Sequence, residues 1–174
     1  MNTNIDLLTS YKDKAYVMQL LCEQSYNHYS FIKNLINLPL ILINSTMTVL
    51  NSIIDNSNDL KIPNILLNST TGLIIAFTTN FKVYERINSF HQLQSKYNKL
   101  YTDIEKILIL NPDEITNEKI NNIIETYEAL SDNMEFSISD RIKQKVKKEF
   151  NNKLNLPSIL SVDIVECKDK CNCC

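Results

Sequence analysis

The sequence predicts an all-α protein built on a two-transmembrane helical hairpin, with an N-terminal amphipathic helix and C-terminal cytosolic helices. Three observations lead there. The 174-residue chain has a single glycine, Gly72, four prolines and no tryptophan, so it lacks the turn residues that a many-stranded sheet requires. Residues 34 to 54, NLINLPLILINSTMTVLNSII, run for 21 positions without a charge, and residues 62 to 81, IPNILLNSTTGLIIAFTTNF, run for 20. Only the connector DNSNDLK separates them, and a helix needs about 20 apolar residues to cross a bilayer core.

The first element precedes the spans. Leu8, Tyr11, Ala15, Met18, Cys22, Ser25 and Tyr29 recur with helical rhythm, which predicts an amphipathic helix leading into the first span. Tyr26, Tyr29 and Phe31 fall where an interfacial aromatic belt belongs.

The first span holds twelve Leu, Ile, Val and Met residues, together about −4 to −7 kcal/mol of insertion energy. Eight Asn, Ser and Thr residues and Pro39 oppose them, so a lone helix is near balance and needs partners. Its polar residues gather on one stripe, carrying Asn37, Asn44, Thr48 and Asn51, and the second span repeats the arrangement with Asn64, Asn68, Thr71 and Thr78. Their near-heptad spacing is that of a packed helical seam.

Two readings of the stripe stand. Amides and hydroxyls can glue helices together, at about 0.6 to 2 kcal/mol per hydrogen bond in membranes. Alternatively they line a wet path; a hairpin folded about residue 58 then sets Ile41 and Ile75, the apolar interruptions of the two stripes, at one layer as a hydrophobic constriction. The second reading requires a homo-oligomer to enclose a lumen.

Lys33 flanks one end of the hairpin and Lys82 and Arg86 the other. The positive-inside bias then predicts a multi-pass membrane protein with both termini cytosolic. Downstream, Val83, Ile87, Phe90, Tyr97, Tyr101, Ile104 and Leu108 continue an apolar row with no breaker before Asn111 and Pro112, which predicts that the second span runs on as one helix of about forty residues. A further helix is expected over residues 114 to 131, with Ile120, Ile123, Ile124, Tyr127 and Leu130 on one face. Residues 1 to 135 thus form the membrane domain with its flanking helices, and residues 136 to 174 a basic helix and cysteine-rich tail. In RIKQKVKKEF, residues 141 to 150, Arg141, Lys145 and Lys148 share a face that suits either anionic headgroups or water.

Several function classes are excluded. One glycine cannot build a Walker loop or a Rossmann fingerprint. A net charge of −2 and a pI near 5.7 give no general attraction to nucleic acid. No Ser-His-Asp or Cys-His set can be spaced from the chain, so no enzyme, cofactor or metal site is expected. His28 and His91 read as two separate histidines, because no ligand recurs at i ± 3 or i ± 4. The start MNTNIDLLTS has no signal-peptide pattern, and Asn2 rules out N-myristoylation. The end VECKDKCNCC offers Cys171, Cys173 and Cys174 for lipidation; thiolate metal binding and a tail without function are the other readings.

The order of parts, together with INSFHQLQSKYNKLYTDIEKIL after the second span, resembles the SLATT family, the SMODS and SLOG associating two-transmembrane effector domains. His91, Tyr97, Leu100 and Ile104 look like that family's post-membrane helix, and the likeness covers residues 8 to 110. It implies a pore-forming or membrane-perturbing effector of conflict systems, triggered by a nucleotide-sensing or nucleotide-generating partner. This chain departs in carrying no sensor domain and in its Asn-rich spans, so a separate sensor protein would supply the trigger. A non-conducting membrane-anchored scaffold and a soluble helical interaction protein are the competing expectations.

Overall fold

The computed structural model describes residues 2 to 53, 57 to 110, 115 to 150 and 154 to 161. Within them the chain is all helical. Six helices follow in order: α1 (Asn2–Ile53), α2 (Ser57–Asn80), α3 (Val83–Leu110), α4 (Asn117–Asp132), α5 (Asp140–Phe150) and α6 (Ser158–Ser161).

α1 is one unbroken helix of 52 residues, about 78 Å long at 1.5 Å per residue. Its two halves live in different surroundings. In the first half Leu8, Ala15, Met18, Cys22 and Ser25 are buried and Tyr11 and Tyr29 partly so, as their spacing predicts. They meet Phe90, Leu93, Tyr97, Leu100 and Ile104 of α3 to form the main core, which α4 extends with Ile120, Ile123 and Leu130. α5 adds Val146 and α6 adds Leu160. Tyr127 joins the layers edge-on, with its ring centroid 5.5 Å from Tyr11 and 6.0 Å from Tyr97. Asp13 Oδ2 accepts from Asn155 Nδ2 at 3.1 Å and ties the last described segment back to α1.

The second half of α1 pairs with α2 as an antiparallel hairpin that projects from the bundle, with Tyr84 of α3 reaching Asn37 at its base. Between Tyr26 and Phe77 no described side chain is buried. Seventeen of the twenty exposed large hydrophobic residues lie between Phe31 and Tyr84, so the hairpin wears its apolar side chains on the outside.

The expected forty-residue helix is not formed. α2 ends at Asn80 and α3 starts at Val83, with Lys82 at φ 50 between them. Lys82 N–H donates to Thr79 O at 3.0 Å, a tightened final turn, and Arg86 Nε donates to the released carbonyl of Phe81 at 3.2 Å. Thr79 and Asn80 are weak helix formers, and the left-handed residue is tolerated because the freed carbonyl has this cationic cap. α4 begins at Asn117 because the Thr116 hydroxyl accepts from Lys119 N–H at 3.3 Å, an N-cap.

Candidate functional site

The seam of the hairpin can be read from partial burial. On α1 only Ile36, Asn37, Leu40, Asn44 and Met47 are sheltered between Asn34 and Ser52; on α2 Asn64, Leu67, Thr71, Ile74 and Thr78 are. Apart from Ile36, both sets alternate steps of three and four, the spacing of a left-handed helix pair. The register is fixed by a reciprocal amide pair: Asn51 Nδ2 donates to Asn64 Oδ1 at 3.3 Å, and Asn64 Nδ2 donates to Asn51 Oδ1 at 3.1 Å. Moving seven residues along each antiparallel helix sets Asn44 level with Thr71 and Asn37 level with Thr78. The seam therefore alternates polar layers with layers of Leu, Met and Ile.

Six of the eight stripe residues belong to this seam: Asn37, Asn44, Asn51, Asn64, Thr71 and Thr78. Thr48 and Asn68 do not; both are exposed. The hydroxyls mostly serve their own helix, as Ser45, Thr48, Ser52 and Thr78 donate to carbonyls one turn back at 2.8 to 3.0 Å. Cross-helix bonding falls to the amides. Asn37 Nδ2 donates to Tyr84 OH at 2.8 Å, while Thr71 Oγ1 is buried without a partner among the described residues.

Ile41 and Ile75 are 64% and 57% exposed. They share a layer, as expected, but flank the seam rather than fill it. At 100° per residue each lies roughly 60° to 90° round from the seam centre in the same rotational sense. In an antiparallel pair that places both on one broad side of the hairpin, with Ser45, Thr48, Ser52, Asn68 and Gly72. The other broad side carries a shallow groove of about 490 Å³ lined by Leu35, Pro39, Ile43, Leu73 and Phe77 together with Thr70.

A cationic aromatic collar closes the bundle end of the hairpin. Lys33 Nζ stands 5.7 Å from the Tyr84 ring centroid, and Lys82 pairs with Glu85 at 3.4 Å on the surface. Arg86 is the hub. Besides capping Phe81 O, its Nη1 donates to Tyr29 OH at 2.9 Å, and its guanidinium lies 5.4 Å from the Tyr29 ring and 4.9 Å from the Phe136 ring. One side chain thus joins α1, the α2 to α3 break and the loop before α5. In the sequence Arg86 reads only as a flanking charge, because no spacing rule links it to a tyrosine 57 residues away.

The remaining candidates are scattered. His28 packs on Tyr29 and His91 on Tyr26, both exposed. Among the described residues no three His, Cys, Asp or Glu side chains gather to hold a metal. Arg141, Lys145 and Lys148 are exposed on α5. Cys171, Cys173 and Cys174 lie outside the described residues. Cys22 is buried in the bundle core, and loss of water there pushes its thiol up to about 12. The same cause raises Tyr97, whose hydroxyl is buried without a partner among the described residues.

By length and composition, one helix among the described residues can cross a membrane, Asn4–Ile53, and none of its most apolar stretch is buried in the fold. α2 falls short of that standard because Asn64, Asn68, Ser69, Thr70 and Thr71 interrupt it. No protein family, no curated protein and no solved structure matches the chain.

Proposed function

We propose that the chain is a two-span membrane protein whose α1 to α2 hairpin lies in lipid, with the bundle and both termini in the cytosol. Its output is membrane perturbation or pore formation by a homo-oligomer, without catalysis. The observation that carries this reading is the inverted hairpin: a broad apolar exterior around a polar seam, with Lys61 the one charged side chain described between Asn34 and Phe81. Water would leave that exterior unstabilised, and monomeric soluble proteins rarely expose patches of such extent. Lipid accepts it, and the seam pairs its amides where lipid cannot. α2 is brought across by α1, against which Asn64, Thr71 and Thr78 are sheltered. The collar of Lys33, Lys82, Arg86, Tyr29 and Tyr84 suits the cytosolic interface. The order of parts agrees with the SLATT resemblance, with a separate sensor protein supplying the trigger.

Ion or dye flux from liposomes holding purified protein tests the output; tight vesicles carrying assembled protein overturn it. Sedimentation with membranes after carbonate washing tests the embedding, and release into the supernatant would support the soluble interaction protein instead. A second reading, a non-conducting anchor or scaffold, is favoured by the Asn51 to Asn64 pair, because amides used in packing are withdrawn from a lumen. Asn44→Leu and Thr71→Leu separate the two: an anchor keeps its activity, a pore that depends on these layers loses it.

A further inference from the structure

We propose that the cleft between α3 and α4, edged by Lys96 and Lys99, binds a small phosphate ester with an aliphatic body. The cleft belongs to the helical bundle, so it functions whether or not the hairpin lies in lipid. Its volume is about 500 Å³, within the range of small-molecule sites. Lys96, Lys99 and Asp103 stand along its α3 edge, and Leu100, Ile123 and Leu130 form the floor.

The charge on the edge selects an anion. Asp103 is the one carboxylate among the described lining residues, and Lys106 stands 4.0 Å from it. Lys96 and Lys99 are exposed, and neither forms an ion pair with a described residue. Three residues apart on one helix they are neighbours, and their charges repel. The chain carries a net charge of −2, so carboxylates are not scarce, yet none is placed to neutralise this pair. A phosphate monoester, with about −1.5 to −2 charge at neutral pH, matches two ammonium groups, and lysine holds phosphate as a point charge.

The floor selects the body. Leu100, Ile123 and Leu130 are 6%, 7% and 8% exposed, too little apolar surface to seat the anchors of a partner helix but enough to touch a small ligand. No aromatic ring is among the described lining residues, so the body is held by aliphatic contact and not by stacking. A lipid headgroup is too far away on the proposed embedding. Lys96 lies ten residues along α3 from Arg86 at the collar, about 15 Å at helical rise, whereas the headgroup layer is about 5 to 8 Å deep. The ester is therefore one dissolved in water.

The test is calorimetric titration of full-length protein in a non-ionic detergent with cyclohexyl phosphate, inorganic phosphate and cyclohexanol. Cyclohexyl phosphate is expected to bind about tenfold more tightly than either half. Lys96→Gln combined with Lys99→Gln should weaken that binding by about tenfold or more and leave the thermal melt in place, because both side chains are exposed. Lys145→Gln combined with Lys148→Gln removes an equally spaced, equally exposed pair from α5 and should leave binding unchanged. Equal losses from the two double variants reveal diffuse charge and overturn the proposal. Cyclohexyl phosphate that binds no more tightly than inorganic phosphate overturns it as well, and so does the absence of binding by either at millimolar concentration. An acidic amphipathic peptide that binds this face when the ester does not assigns it to a protein partner, which equally overturns the proposal.

Discussion

Removing one amide of the Asn51 and Asn64 pair should hurt the hairpin, and removing both should largely restore it. The two hydrogen bonds measure 3.3 and 3.1 Å, and membrane side-chain hydrogen bonds contribute about 0.6 to 2 kcal/mol each. Asn51 lies in the last turn of α1, and its side chain is exposed, so water or headgroups near the connector compete for it. That moves the expected coupling to the lower end, about 1 to 2 kcal/mol for the pair. Asn64→Leu alone leaves the Asn51 amide facing an apolar side chain, and Asn51→Leu does the converse, so each is expected to destabilise by about 1 kcal/mol. The double substitution Asn51→Leu with Asn64→Leu replaces an amide layer by an apolar one and recovers most of that loss. A double-mutant cycle on reversible unfolding in mixed micelles, read by helicity, measures the coupling. Effects that simply add, with a coupling below about 0.3 kcal/mol, would refute the register and with it the seam.

Three further outcomes are expected of the bundle and the joint. Arg86→Ala loses two hydrogen bonds and two cation–π contacts, so stability should fall by about 1 to 3 kcal/mol. Arg86→Lys should recover only part of it, because an ammonium cannot cap Phe81 O and reach Tyr29 as one planar fork does; thermal melts of both variants check this. Tyr97→Phe removes a hydroxyl that is buried without a described partner and should be neutral or stabilising by up to about 1 kcal/mol; a clear loss in chemical denaturation would reveal a hidden bonding partner. Alkaline pH should unfold the bundle. Burial raises Cys22 from 9.0 to about 12 and Tyr127 from 10.0 to about 12, so the unfolded chain gives up these protons first. Their contribution is complete below about pH 9 and is lost as pH climbs toward 12, each group giving up about 1.4 kcal/mol for every pH unit between its unfolded and folded pKa. Cys22→Ala should delay the onset in a helicity titration.

The helix faces were legible because burial along a helix follows its turn. Every residue of the three apolar rows named from spacing in α1, α3 and α4 is buried or partly buried. The seam was legible in outline for the same reason. Thr48 and Asn68 escaped it because a stripe a third of a circumference wide is broader than the strip a neighbouring helix covers. The break at Lys82 was hidden, since it depends on a single left-handed residue stabilised by Arg86, whose partners lie far away in sequence. No periodicity encodes such a contact, and nothing in the order of Thr79, Asn80 and Arg86 announces it.

α1 is written in two opposite patterns joined without a break. From Leu8 to Ser25 the buried face is apolar apart from Ser25 itself; from Asn34 to Ile53 the seam carries Asn37 and Asn44 while Leu35, Leu38, Ile41 and Leu42 face out. One continuous helix therefore serves two surroundings, and on the proposed reading the pattern inverts where water gives way to lipid, beside Lys33. α1 crosses that boundary as one continuous helix, whereas the path from α2 to α3 crosses it through the break at Lys82. At that break Arg86 and the Asn37 to Tyr84 hydrogen bond hold the two sides together.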